Sequence, residues 1–121
     1  MASKEAALIE PLLHVGNMGK SRLWRNNVGI ATFKHVSTKR IRRVSYGVGG
    51  SGASDLVGMR AGGQFVAIEV KSSKKMPLRP NQKQFLLVVK GCGGYAAVCY
   101  PENLDLILGD LTNQTSYGMI E

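Results

Sequence analysis

One segment of this chain restricts its fold more than any other, the run FVAIEVK at residues 65–71. Side chains alternate between the two faces of a β-strand, so Val66, Ile68 and Val70 share one face. The other face then carries Phe65, Ala67, Glu69 and Lys71. The run therefore predicts a strand with one fully apolar face, and on its other face a carboxylate and an amine point the same way.

A second strand is predicted directly before this one. A short apolar strand is expected around residues 55–59, and a glycine turn at residues 61–63 leads into the strand at residues 64–71. Two strands joined by a short glycine turn predict a β-hairpin. Because Asp55 begins the first of these strands, its carboxylate can reach the same point as that of Glu69.

Three segments predict helices. Ser3 can cap a first helix, which Pro11 should kink or shorten because proline lacks a backbone donor. Pro80 suits the first turn of a second helix, and Gly91 suits the C-terminal cap of that helix. Pro101 opens a short final helix.

Further strands are expected between and after these helices. Residues 22–33 and 40–47 are rich in β-branched and aromatic side chains and flank a polar turn, so they are predicted to pair with each other. Residues 95–100 predict a buried strand. The predicted order is helix, three or four strands, helix, strand and helix, which is an α/β chain of one domain over residues 1–121.

Charge narrows the class of partner. Sixteen lysines and arginines stand against eight aspartates and glutamates, a formal net charge of +8. Phosphates neutralised by such side chains release condensed counterions, so a surface this basic favours a polyanion, although it can also serve solubility alone. No stretch approaches the roughly 18 apolar residues of a membrane span, and we expect a cytoplasmic protein without a membrane partner.

Two carboxylates stand alone in the basic part of the chain. Between Pro11 and Pro101 there are 15 basic residues and two acidic ones, Asp55 and Glu69. Mg²⁺ binds through one or two carboxylates and takes phosphate oxygens as further ligands, so the pair fits a metal site with the carbonyl of Val70 as a third ligand. The alternative is a solvated cross-strand pair, which is common where a lysine follows a glutamate two positions later.

Four motifs in this order resemble a known family. They are WRNNVG at residues 24–29, RVSYGVGGSGASDLVG at 43–58, FVAIEVK at 65–71 and LRPNQKQF at 78–85. They resemble the PD-(D/E)XK nuclease superfamily, and more narrowly its stand-alone VRR-NUC family of phages and bacteria. The resemblance implies a restriction-endonuclease-like core, with helices flanking a central mixed β-sheet of four to five strands in the order αβββαβ.

The resemblance also implies an activity. Members of the family are Mg²⁺- or Mn²⁺-dependent DNA endonucleases similar to Holliday junction resolvases, and they often work as homodimers. The implied partner is branched duplex DNA, and no small-molecule cofactor is expected. Two alternatives stay open, a nuclease for linear, nicked or single-stranded DNA with the same site, and a non-catalytic basic module that only binds nucleic acid.

Catalytic roles follow from the matched positions. Asp55, Glu69 and Lys71 match the family's catalytic acid and ExK pair, and Lys71 would orient or help deprotonate a water and neutralise the phosphate. Gln82 matches the glutamine that opens the next helix and would orient a water or the phosphate. Without the resemblance, Gln82 is interpreted as an exposed polar residue of a first helical turn.

Two further points concern the helices of the matched family. A glutamate of the first helix often joins the metal site, and Glu5 matches that position better than Glu10 does. Arg79 and Asn81 stand where the family commonly has serine and glutamate, which puts the capping of the second helix in doubt.

Candidates for DNA contact surround this site. The glycine-rich run at residues 47–52 is either a flexible loop that lets a DNA backbone approach or a plain structural turn. Arg25 and Asn26 either contact the DNA backbone or order their strand, and the clustered basic residues flank a duplex or form solvated patches. The candidate DNA-binding residues are Arg25, Asn26, Arg42, Arg43, Ser51, Lys74, Lys75 and Arg79.

Overall fold

Four strands form one mixed sheet in the computed structural model, which describes residues 3–121. In chain order the strands are β1 (Arg22–Arg25), β2 (Gly29–Lys34), β3 (Ile41–Tyr46), β4 (Leu56–Arg60), β5 (Gln64–Val70) and β6 (Tyr95–Cys99). The α-helices are α1 (Lys4–Gly16), α2 (Pro80–Gly91) and α3 (Leu104–Asn113), with 3-10 turns at Ala61–Gly63 and Pro101–Asn103. The sheet order is β1-β4-β5-β6, in which β5 and β6 are parallel and the other neighbours antiparallel.

Different helices cover the two faces of this sheet. The larger apolar cluster joins α1 and α3 to the strand residues Val66, Ile68 and Val70. The smaller cluster lies on the other face and consists of Ala67, Leu86, Val89 and Ala96. The alternation predicted for β5 is therefore confirmed, because neighbouring residues of this strand belong to separate clusters.

The predicted order of elements is also confirmed. The elements in and against the central sheet follow the order α1, β1, β4, β5, α2, β6, and α3 comes after them. With its four-stranded mixed sheet, this is the αβββαβ arrangement that the resemblance implies. None of the helices within residues 3–121 is long and apolar enough to cross a membrane.

The pairing predicted for residues 22–33 is wrong in one respect. This segment is not one strand, because the chain leaves the sheet at residues 26–28. Its first part, β1, pairs with β4, whereas its second part, β2, pairs with β3 as a separate two-stranded ribbon. The side chain of Asn26 bonds the backbone of Val48 and Ser54, which turns the chain away from the sheet after β1.

The helix ends agree with the predictions except at two points. Ser3 caps α1, since its hydroxyl oxygen accepts the Ala6 N–H at 3.0 Å. Pro11 does not shorten this helix, which continues to Gly16. Gly91 was predicted to cap the end of α2, but it is the last residue of the helix. The glycine with the left-handed backbone conformation that ends the turn is Gly93, two residues further on.

The close pairing of β1 with β4 gives a stability test. A Cβ at Gly58 would overlap the backbone carbonyl oxygen of Arg22, whereas a Cβ at Gly109 in α3 meets open space. We expect Gly58→Ala to lower the free energy of unfolding by about 2 kcal/mol, and Gly109→Ala to raise it by up to about 1 kcal/mol. Urea titrations would measure both, and equal stability of the two variants would contradict this account of the β1–β4 contact.

Candidate active site

Asp55 is held between two strands at the start of β4. Its carboxylate oxygen Oδ2 accepts the Val70 N–H at 2.9 Å, so the side chain caps the open end of β5. Its backbone carbonyl accepts the Asn26 N–H at 2.7 Å, directly after β1. Because both ends of the residue are fixed, the direction of the Asp55 carboxylate is set by the sheet itself.

Glu69 lies on β5 with only 4% of its surface exposed, and the strand register places it beside Asp55. Its second oxygen, Oε2, is buried and has no hydrogen-bond partner; within residues 3–121 it is the one buried side-chain oxygen or nitrogen in this state. Buried polar atoms are normally paired, because an unpaired one costs free energy. The predicted solvated cross-strand pair is therefore wrong for Glu69.

Burial dominates the protonation of Glu69. Loss of solvation, followed by the neighbouring Asp55 carboxyl group, raises the pKa of Glu69 to about 9, against an opposing effect of Lys71. The charge of Glu5 contributes in the same direction as that of Asp55. At neutral pH Glu69 therefore keeps its proton, and a cation bound beside it would replace that proton.

Lys71 is positioned by Gln82. The Lys71 ammonium donates to Gln82 Oε1 at 3.0 Å, and the same oxygen accepts the Arg79 N–H at 3.0 Å. Gln82 is 6% exposed, so its interpretation as an exposed polar residue is wrong. One amide oxygen thus accepts the backbone N–H of Arg79, directly before α2, and also holds the lysine. The Arg79 side chain makes no capping hydrogen bond to α2.

The backbone carbonyl of Val70 points toward Asp55. Successive residues of a strand direct their N–H and C=O groups to alternate edges, and the Lys71 N–H donates to the Cys99 carbonyl on the β6 edge. The Val70 N–H bonds Asp55 on the opposite edge, and the N–H and C=O of one strand residue point to the same side. The Val70 carbonyl is therefore directed to the edge that carries Asp55.

Asp55, Glu69 and Gln82 open onto a cleft of about 560 Å³, whereas Val70 and Lys71 do not line it. Of the predicted site residues it is lined by Asp55, Glu69, Gln82, Ser51 and Arg79. The remaining walls come from Gly50 and Gly52 of the glycine-rich run, and from residues that were not predicted as site residues, namely Val28, Gly29, Ile30, Ser45 and Ala53. The sequence does not place Ile30 or Ser45 in the site, because the ribbon reaches the cleft only through the tertiary fold.

The glycine-rich run fits closely against α2. Gly49 and Gly52 have positive φ angles of 85° and 89°, and a Cβ on them would overlap Phe85 and Asn81 respectively. These two glycines serve a structural turn. A Cβ added to Gly50 would meet no other atom within 4 Å. Gly50 lines the cleft together with Ser51, so this part of the loop is open to a ligand.

Asn26 orders the chain around Asp55. Its amide nitrogen donates to the carbonyls of Val48 at 2.8 Å and Ser54 at 3.1 Å, and its amide oxygen accepts the Val48 N–H at 2.9 Å. Of the two interpretations given for Asn26, these bonds favour the ordering one, since both ends of its amide are occupied.

The other predicted residues lie outside the cleft. Exposed positions that do not line it are Glu5, Arg25, Arg42, Arg43, Lys74 and Lys75. The part of the chain that the structure describes has no group of three or more His, Cys, Asp or Glu side chains arranged around one metal position. The chain therefore offers a cation two carboxylates, with backbone oxygen in addition.

Comparison with known proteins agrees with this geometry. The family model of the VRR-NUC domain matches residues 7–103. The chain belongs to the VRR-NUC family. The match indicates a nuclease domain, with DNA as the implied substrate, and its range includes Asp55, Glu69, Lys71 and Gln82. No curated protein and no solved structure matches this VRR-NUC chain.

The raised pKa of Glu69 predicts how stability depends on pH without metal. The folded state keeps this proton up to a pKa of about 9, whereas the ordinary value is 4.5, so the free energy of unfolding should fall as pH rises between these values. Urea titrations with a chelator should show that fall in the wild type and a smaller one in Glu69→Gln. Glu10→Gln, at an exposed position of α1, is the control. A stability difference between wild type and Glu69→Gln that stays constant between about pH 5 and about pH 9 would contradict the assignment.

Proposed function

We propose that this chain is a Mg²⁺- or Mn²⁺-dependent endodeoxyribonuclease that hydrolyses phosphodiester bonds in branched DNA such as Holliday junctions. The whole of residues 1–121 would act as one nuclease domain, in the cytoplasm and as a homodimer. The observation that carries the proposal is the buried, unpaired Glu69 Oε2 beside Asp55, at the wall of an open cleft.

The donor set suits a hard divalent cation. Mg²⁺ uses one or two carboxylates together with other oxygens, and Asp55, Glu69 and the carbonyl of Val70 would supply these ligands. When bound there, such an ion polarises a phosphate and acidifies a water. Glu5 would add negative charge near Glu69 rather than a direct ligand, since it does not line the cleft.

The side chains of the chain itself would perform the remaining steps. Glu69, after losing its proton to solvent, would hold the cation together with Asp55. Lys71, which Gln82 holds by its ammonium, neutralises the phosphate and orients the attacking water. Gln82 thus acts through Lys71, while Ser51 and Arg79 in the cleft wall would contact the DNA backbone.

A dimer would allow two symmetric cuts in a branched substrate. An exposed apolar patch supports a contact with a second copy. Trp24, Met59 and Phe65 lie on the face of the sheet that carries Ala67, where α2 packs over β5 and β6. Trp24 is 51% exposed and Met59 48%, and patches of this kind commonly mark interfaces.

Cleavage of labelled DNA tests the catalytic proposal. With Mg²⁺ or Mn²⁺, Asp55→Asn and Glu69→Gln should each lower the cleavage rate at least about 100-fold while DNA binding persists. Asp105→Asn, an exposed acid of α3, is the matched control and should cleave as the wild type does. Full activity in the Asp55 or Glu69 variant would rule out this site.

The same assay separates Gln82 from the metal ligands. Gln82→Ala should lower the cleavage rate by about 10-fold or more, because the loss of a supporting hydrogen bond misplaces Lys71. Thermal unfolding should still respond to Mg²⁺ in this variant and not in Glu69→Gln. If Gln82→Ala lost the Mg²⁺ response as well, Gln82 would have a structural role in the metal site instead.

A panel of substrates tests the finer specificity. We expect four-way junctions to be cleaved faster than linear, nicked or single-stranded DNA, and a solution mass of two chains. Equal rates on all substrates would favour the general nuclease. Salt-sensitive binding without cleavage under any divalent metal would favour the module that only binds nucleic acid.

A further inference from the structure

The β2–β3 ribbon has two different faces. Residues directly opposite each other in an antiparallel pair lie on the same side of the ribbon. One face, called the cleft face below, consists of the pairs Ile30–Ser45, Thr32–Arg43 and Lys34–Ile41. The opposite face includes the pairs Ala31–Val44 and Phe33–Arg42.

The cleft face continues the candidate active site. Ile30 and Ser45, the pair at its base, line the cleft that holds Glu69. The pairs further out bring Arg43 and then Lys34 onto the same face. A polymer that leaves the cleft along this ribbon would therefore meet two cations in succession.

Charge identifies the kind of polymer. Residues 29–46 contain five basic side chains and no acidic one, and the nearest acids in sequence are Glu10 and Asp55. Every residue of β3 is exposed, so its cations are open to a ligand. Such a surface is complementary to a phosphate backbone, which releases counterions when lysine and arginine neutralise it.

We infer that the cleft face of the β2–β3 ribbon binds the backbone of duplex DNA beside the scissile phosphate, and so sets a minimum duplex length on one side of the cut. The inference rests on the proposed function. From Ser45 to Ile41 the ribbon rises by about 14 Å at 3.4 Å per residue. That length corresponds to about four base pairs of duplex.

Arg43 and Arg42 provide a matched pair of variants. They are neighbours, both exposed, and on opposite faces of the ribbon. Arg43→Ala should flatten the dependence of log affinity on log salt by about 0.9, the effect of one lost phosphate contact. Arg42 is also a DNA-contact candidate from the sequence, but it lies on the face away from the cleft, so Arg42→Ala should flatten that dependence less.

Binding should be measured by fluorescence anisotropy on duplexes trimmed from one end at a time, in chelator so that no strand is cut. The wild type and Arg42→Ala should lose affinity about 10-fold when the arm on one side of the mapped cut falls below about four base pairs. Arg43→Ala should lose much less, since its contact with that arm is already missing.

Any of three DNA-binding results would overturn the inference. They are equal effects of the two arginine variants, equal sensitivity to trimming of both ends, and binding of single strands as tight as that of duplex. A change in solution mass caused by Arg43→Ala would also overturn it, because the occupant of the cleft face would then be a second copy of the chain.

The salt dependence of the two arginine variants is independent of cleavage, whereas the trimming assay needs a mapped cut. A protein that never cuts DNA, yet shows the predicted difference between the arginine variants, would contradict the proposed function and support the ribbon as a duplex-binding surface. A protein that cuts DNA without that difference would keep the nuclease and exclude this role of the ribbon.

Discussion

The close approach of the Asp55 and Glu69 carboxyl groups is the interaction on which the rest of the site depends. The register of the hairpin creates it, because Leu56 lies opposite Ile68 and the two acids occupy the next positions at the open end. Two carboxylates held this close, one of them buried, cannot both stay charged without a compensating cation. The fold therefore maintains an arrangement that costs free energy, and a divalent ion in the proposed site would relieve that cost.

Several local contacts converge to keep this arrangement rigid. Asn26 connects the end of β1 to the loop before β4, and its backbone holds the carbonyl of Asp55. On the other side of the cleft, Gln82 joins the first turn of α2 to Lys71. Asn26 and Gln82 each form hydrogen bonds to more than one residue. A substitution of Asn26 would therefore disturb both the loop before β4 and Asp55, and one of Gln82 would disturb both the start of α2 and Lys71.

The basic character of the chain complements its two isolated acids. Phosphate is attracted by the surrounding lysines and arginines, while the carboxylate pair repels it unless a cation lies between them. Arg79 brings positive charge to the cleft wall, and the β2–β3 ribbon carries more of it away from the sheet. DNA binding and metal binding would therefore support each other at one site.

The sequence by itself determined the β4–β5 hairpin, α2 and the convergence of Asp55, Glu69 and Lys71, because strand alternation and a short glycine turn are local properties. Only the tertiary structure decided which strands pair across longer distances. The composition of residues 22–33 predicts a single strand. In the structure the hydrogen bonds of Asn26 interrupt this segment, so that its first part belongs to the sheet and its second part to the ribbon. Asp110 is a further example, since nothing local distinguishes it from the exposed acids near it. Asp110 is buried and accepts hydrogen bonds from the Tyr95 hydroxyl and the Gly118 N–H. These partners lie on β6 and beyond the end of α3, so only the packing of the chain brings them to Asp110.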